Sequence, residues 1–482
     1  MAIPSHLSTL YQPQFGLLTD LYQLTMAAGY HRHRIHQRKA IFHLFYRKPP
    51  FGGQFALSAG LPLAVDLIEN FRYGTEDVHY LGRLKGNDGK PIFRENFLNY
   101  LQRLRFGGNI DAIPEGEIVM PHEPILRIEA TLAEAQLLET ALLTIINFST
   151  LVATKAARIR EAAGEDSVLE FGLRRSQGID GGLTATRSAY LGGCDATSNV
   201  WGGRYYGIPV KGTHAHSWVM IFREELEAFE AYAAAMPNNA ILLVDTYDTL
   251  EGVQKAIQVA KHLRERGHHM LGIRLDSGDM ARLSIDARRL LDEAGFPEVK
   301  IVASDSLDEY AIAKLKAQGA RIDIWGIGTR LVTAHDQPAL GGVYKLAAVE
   351  NEAGEYEPRI KQSETAVKTS NPGKLNVRRY FTPEGQLAGS KLYNELNGPE
   401  AHQIVLSGEK TLDLSRYADN SSSLLQPVYR SGELVMDFPD LHEVRERGMR
   451  NWKKYSAVGN AGHPLSFGPA PALLAEQQRL MR

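Results

Sequence analysis

The feature that most restricts the fold is a regular alternation between residues 168 and 346. Strand-like apolar runs fall at Val168–Phe171, Pro209–Lys211, Ala240–Val244, Met270–Leu275, Val299–Ala303 and Ile322–Trp325. Amphipathic helical stretches stand between them, at Thr249–Arg266, Met280–Ala294 and Leu307–Gln318. Strand-to-strand spacing in the second half is about 30 residues, as βα units require. Repeated βα units build a parallel sheet, either open or closed into a barrel. No GxGxxG opens the first unit, which favours the barrel.

The ends of these runs carry the chemistry. Val244 leads into Asp245-Thr246, and Ile273 into Arg274-Leu275-Asp276-Ser277-Gly278-Asp279. Ala303 leads into Ser304-Asp305-Ser306, and Trp325 into Gly326-Ile327-Gly328-Thr329. In a βα barrel such ends share one face, where catalysis sits. Asp and Ser there can simply cap the next helix. That reading suits Asp279 and Asp308, but not Arg274 with Asp276, nor the GIGT ending.

Residues 169–218 add a second signal. The run Val168–Phe171 empties into adjacent arginines, Arg174 and Arg175, and then into a turn with Gly178, Asp180, Gly181 and Gly182. Paired guanidiniums beside a turn rich in backbone N–H groups suit a phosphorylated, acidic substrate. Gly212-Thr213-His214-Ala215-His216-Ser217 brings hydroxyls and imidazoles to the mouth of the same site.

The flanks are of another kind. Residues 1–150 are expected to form an α+β domain ending in a long buried helix from Leu132 to Ala153. Residues 151–346 form the βα-barrel catalytic domain, and 347–482 a C-terminal segment packing on the first. Thr19–Tyr30 reads as a helix capped by Thr19 or Asp20. The histidines at 31, 33 and 36 alternate with arginines, which repel a metal, so a solvated helix end is expected there.

Bulk properties exclude several classes. A net charge of −2 over 482 residues shows no basic excess, so no nucleic-acid partner is expected. The single cysteine, Cys194, excludes an intrachain disulfide and fits a reducing compartment. The N-terminus lacks signal-peptide character, and no segment has the uninterrupted apolar length of a membrane span. A cytoplasmic enzyme without a membrane partner is expected.

Together, the motifs TDLYQLTMAAGY, EFGLRRSQGIDGG, GTHAHS, VDTYDTLEG, IRLDSGD and WGIGTRLVTAHDQPALGGVYKL resemble the nicotinate phosphoribosyltransferases, in order, from residue 16 to about 350. KTSNPGKLNVRR in the tail is similar to the family too. The resemblance implies an incomplete βα (TIM-like) barrel with an additional α+β domain built from both chain ends. It implies a homodimer with shared active sites. The implied reaction joins nicotinate and phosphoribosyl pyrophosphate to nicotinate mononucleotide and pyrophosphate, coupled to ATP hydrolysis, the entry step of NAD salvage from nicotinate. ATP is then a co-substrate, and Mg²⁺ is expected to bind mainly through substrate.

Residue roles follow from the resemblance. His216 matches the histidine that ATP phosphorylates, although geometry alone leaves His214 open. Asp245 is expected to hold the other nitrogen of that imidazole. Arg274 matches the nicotinate-binding arginine and Thr213 a further contact. Tyr22 matches a ring-stacking aromatic supplied by the neighbouring subunit, and Phe171 is the candidate for the opposite wall, or else a core strand residue. Arg174 matches an arginine at the phosphoribosyl end. Gly326, Gly328 and Thr329 match the 5-phosphate loop, and Asp276 is expected at the ribose hydroxyls, directly or through Mg²⁺. No general base is required, because the pyridine nitrogen already carries a lone pair. The rival readings are the sister enzyme that uses nicotinamide, quinolinate phosphoribosyltransferase, a sugar-phosphate barrel enzyme and a non-catalytic binding protein. The sugar-phosphate enzyme needs a base or Schiff-base lysine at a strand end, whereas the strand-end motifs carry mainly Asp, Arg, His and Gly.

Overall fold

Six strands hydrogen-bond into one all-parallel sheet in the computed structural model of the chain. In chain order they are β1 (Ser167–Glu170), β2 (Ala196–Thr197), β3 (Ile241–Leu243), β4 (Gly272–Leu275), β5 (Lys300–Asp305) and β6 (Ile324–Ile327). Their order across the sheet is β2-β1-β6-β5-β4-β3. Five coincide with expected runs, because strands buried on both faces read as continuous apolar stretches. The expected strand at Pro209–Lys211 is reduced to a single parallel bridge between Thr197 and Val210. Pro209 has no N–H to give a ladder, and only its carbonyl is used, by Thr197 N–H at 3.0 Å. The two-residue β2 carries no period that sequence could reveal.

Helices join the strands. Asp248 caps Thr249–Glu265, Asp279 caps Met280–Glu293, and Asp308 caps Glu309–Ala317, each accepting a first-turn N–H. Capping thus accounts for Asp279 and Asp308. Because all strands run the same way, their C-terminal ends and the loops that follow lie along one edge of the sheet.

The structure describes residues 14–362, 369–398, 400–406, 410–460 (side chains to 457) and 465–482. Most of the N-terminal stretch expected to lack signal-peptide character, and Lys368 of the tail motif, lie outside the described residues. The chain divides into two compact units. One comprises Leu151–Pro338 and Leu441–Met449 and contains the parallel sheet. Its short C-terminal piece is fixed by Arg445, which meets Asp195 at 2.6 Å and donates from Nε to the Cys194 carbonyl at 3.0 Å.

The other comprises Met1–Thr150, Ala339–Asp440 and Arg450–Arg482. Its main sheet has seven strands, ordered Tyr356–Pro358, Gly342–Glu350, Lys39–Tyr46, Leu126–Thr131, Asn109–Ala112, Gln426–Arg430 and Glu433–Leu434. An expected domain boundary at 346 cuts through Gly342–Glu350, which pairs antiparallel along Lys39–Tyr46. The long helix runs from Glu139 to Ala163, beginning later and ending later than expected. It is long and apolar enough to cross a bilayer by length and composition, yet two thirds of its most apolar window is buried, as in a core helix. The N-terminal helix spans Leu21–Arg32, where Gln23 Oε1 accepts the Asp20 N–H at 2.8 Å. The helix ends at Arg32 with exposed His33 as its C-cap, as expected, while His31 and His36 are half-buried. Their rings lie 4.7 Å apart and both meet Tyr100, at 5.3 and 5.1 Å.

Candidate active site

The strand ends surround a cavity of about 600 Å³. Of the residues singled out in the sequence, Phe171, Arg174, Arg175, Thr213, His214, Arg274, Asp276, Ser304, Asp305, Ser306, Gly326, Gly328 and Thr329 line it, and His216, Asp245 and Tyr22 stand outside the lining. Ser198 lines it as well.

The arginine turn is built on a buried carboxylate. Glu170, the last residue of β1, is 1% exposed. Its Oε2 accepts the hydroxyls of Thr186 at 2.9 Å and Thr197 at 2.6 Å, and its Oε1 accepts the Gly172 N–H. This pins the start of the 3₁₀ turn Leu173–Arg175. Arg174 and Arg175 are exposed and form no ion pair among the described residues. Such uncompensated guanidiniums beside a cavity suit an anion.

Phe171 and Gly326 require each other. A Cβ on Gly326 would sit 2.7 Å from the Phe171 ring. The ring therefore packs closely against the bare Gly326 backbone and lines the cavity. Gly172 is likewise obligatory, since a Cβ there would meet Val332 at 2.2 Å. Gly328 precedes the short turn Thr329–Val332, whose start has no side-chain cap.

Arg274, on β4, is the hub. Nη1 donates to the Thr213 hydroxyl and to the His214 carbonyl at 3.3 Å, and Nη2 to Asp276 Oδ1 at 3.3 Å. Ser304 donates to the same Asp276 oxygen at 2.5 Å. Burial lowers the pKa of Arg274, while Asp276 and Asp245 oppose this and hold the charge in place.

The two histidines separate clearly. His214 is buried, and both of its nitrogens face backbone groups: Leu243 N–H donates to Nε2 at 3.1 Å, and Nδ1 lies 3.3 Å from the Ala215 carbonyl. His216 opens the helix His216–Ile221 and its side chain is 39% exposed. Its Nδ1 pairs with the Thr246 hydroxyl at 3.0 Å, and Nε2 lies 3.8 Å from Asp276 Oδ2. Asp245 does not hold the imidazole, contrary to expectation. Its Oδ2 instead accepts Asp276 N–H and the Ser277 hydroxyl, both at 2.8 Å, because the β3 end turns its carboxylate toward the neighbouring β4 loop. Thr246, one residue on, makes the contact expected of Asp245. Thr246 and Ser304 stand among the strand-end residues of the sequence but without a role of their own, and the bracing role of Glu170 is not legible there, because it sits inside an apolar run.

Tyr22 belongs to the other unit and is 48% exposed on the N-terminal helix. Burial and then the Glu139 charge push its phenol up to about 12, so it is neutral at physiological pH. No group of three or more His, Cys, Asp or Glu side chains with metal-site geometry occurs among the described residues.

Comparison with known proteins agrees over most of the chain. The family model described as nicotinate phosphoribosyltransferase N-terminal domain matches residues 17–147, and that of the nicotinate phosphoribosyltransferase family matches residues 167–383. The chain is 43% identical to nicotinate phosphoribosyltransferase of Bacillus subtilis over 92% of this chain and 90% of that one. It is 36% identical to the Caenorhabditis elegans protein of the same name, over 98% and 92%. The crystal structure of human nicotinic acid phosphoribosyltransferase superposes with a TM-score of 0.82 at 32% identity, covering 96% of this chain and 99% of that chain.

Proposed function

Because the chain belongs to the nicotinate phosphoribosyltransferase family, we propose that this cavity binds nicotinate and phosphoribosyl pyrophosphate and joins them into nicotinate mononucleotide, releasing pyrophosphate. One observation carries the reading beyond family membership. A guanidinium, Arg274, is fixed by Thr213 and Asp276 in the same cavity as a bare glycine loop and two unpaired arginines. A carboxylate and a sugar phosphate each find a cationic or N–H-rich partner, and the flat Phe171 ring supplies a wall for a pyridine.

Catalysis is then mostly positioning and charge stabilisation. Arg274 takes the nicotinate carboxylate, which aims the ring nitrogen at the anomeric carbon. The Gly326–Thr329 loop holds the 5-phosphate, and Arg174 and Arg175 meet the pyrophosphate end. Asp276 faces the ribose, where a carboxylate stabilises the cation that develops as pyrophosphate leaves. Asp276 and Asp305 are the cavity carboxylates able to hold Mg²⁺ alongside substrate oxygens, where the ion would neutralise the leaving group.

The energy coupling we assign to His216. With the proton on Nδ1 and donated to Thr246, Nε2 keeps its lone pair and can take the γ-phosphoryl group of ATP. The parallel sheet with its helices we read as an incomplete βα barrel. The protein is proposed to work as a cytoplasmic homodimer in NAD salvage from nicotinate. Exposed apolar side chains such as Trp201 at 53%, Tyr205 at 70% and Ile221 at 76%, and Leu21 and Tyr22 on the N-terminal helix, are candidates for the surface that pairing would cover. A sedimentation mass equal to one chain would overturn the pairing.

The deciding experiment offers nicotinate and nicotinamide in competition, with phosphoribosyl pyrophosphate, Mg²⁺ and ATP. Nicotinate mononucleotide with matched ADP is expected. The amide nucleotide, or neither product, overturns the assignment. Product without ADP overturns only the role of His216.

A further inference from the structure

The sheet ends at β3, whose outer edge has no partner strand among the described residues. Val244 N–H points inward and bonds the Arg274 carbonyl at 3.2 Å. One residue earlier the pleat turns Leu243 N–H outward, where an edge strand normally leaves it unpaired. Here it is taken by a side chain, His214 Nε2, at 3.1 Å. The ring is held by Tyr232, 4.6 Å away between centroids, and by Phe229 at 6.4 Å. No ladder holds the chain from Gly212 to Ala215, so this contact ties it to the sheet.

We propose that His214 is a positioning residue of the active site: its imidazole fastens the Gly212–Ala215 loop to the sheet edge and thereby places Arg274 and His216. Two consequences are visible. The His214 carbonyl accepts from Arg274 Nη1 at 3.3 Å, and Thr213, one residue before, accepts from the same nitrogen. His216, two residues on, starts its helix from that loop. The ring must stay neutral to accept an N–H, and burial, reinforced by Arg274 and His216, holds its pKa down to about 4. With Nε2 and Nδ1 both facing backbone groups, His214 has no free lone pair for a phosphoryl group, and although the residue lines the cavity its imidazole nitrogens act on the backbone rather than on substrate.

This rests on nicotinate being the ligand of Arg274, so wild-type turnover of nicotinate is the control that separates failure of that reading from failure of this one. The test compares full-length wild type, His214→Gln and His214→Phe. Gln Oε1 reaches the place of Nε2 and can accept, whereas Phe keeps the ring shape without an acceptor. In H214F the KM for nicotinate is expected to rise about tenfold, and in H214Q less than about threefold. A lowered Tm in both variants with unchanged KM would reduce His214 to a structural residue and overturn the proposal, as would equal KM changes in both. Should H214F fail to fold, amide exchange in the wild type decides. Leu243 N–H is expected to be protected, and exchange at the rate of an exposed edge amide overturns the proposal.

Discussion

At the scale of single residues, the site depends on donors with fixed directions. Arg274 uses its planar fork to reach Thr213, the His214 carbonyl and Asp276 at once. A lysine has one ammonium and cannot span these partners. Arg274→Lys is therefore expected to keep the charge but lose its aim. The KM for nicotinate should rise by about tenfold to a hundredfold, with kcat falling less, because ground-state and transition-state binding of the carboxylate weaken together. Steady-state rates at varied nicotinate check this, and an unchanged KM would remove Arg274 from the nicotinate site. Arg274 was legible in the sequence because an arginine is an odd choice for the end of a buried strand. The partner of His216 was not. Asp245 and Thr246 are adjacent, and which of them faces the imidazole depends on how β3 ends, a property of the tertiary fold.

At the scale of elements, the arginine turn stands on a network that no periodicity reveals. The hydroxyls of Thr186 and Thr197 already accept from the Asn199 amide and Asn199 N–H, at 3.1 and 2.9 Å, so their protons are committed to Glu170. Glu170→Gln keeps the size but sets an NH₂ against donors. The expected cost is about 1–3 kcal/mol for the orphaned group. The Leu173–Arg175 turn should loosen with it and raise the KM for phosphoribosyl pyrophosphate. Calorimetry together with that KM tests both parts, and an unchanged Tm and KM would show the network to be dispensable. The strands of the parallel sheet and their helices were readable, since burial on both faces imposes apolar runs and Asp caps mark helix starts. β2 is two residues long and Glu170 sits inside an apolar run, so neither announced itself. The place of Leu441–Met449 was hidden for the same reason: Arg445 finds Asp195 across about 250 residues of chain, a pairing set by the fold.

At the scale of the whole molecule, among the described residues each unit carries a buried imidazole used as a neutral acceptor for a backbone N–H. In one it is His214, bonded to Leu243. In the other it is His43, 1% exposed on Lys39–Tyr46, whose Nε2 accepts Leu375 N–H at 3.3 Å. Burial, reinforced by the neighbouring Arg127 charge, lowers the pKa of His43 to about 3, and that of His214 falls to about 4. An unfolded histidine titrates near pH 6.5. Between the two values the unfolded chain binds protons that the native one refuses, so stability falls as pH drops below about 6.5 and is fully present only above it. From pH 7 to pH 5 each histidine should remove about 2 kcal/mol, which lowers the Tm by several degrees. His43→Gln keeps an acceptor at the Nε2 position and cannot titrate. Melting curves of wild type and H43Q at the two pH values should therefore show a smaller acid shift in the variant. The same shift in both would mean that His43 is protonated in the folded protein, and that the Leu375 N–H is not what keeps that imidazole neutral.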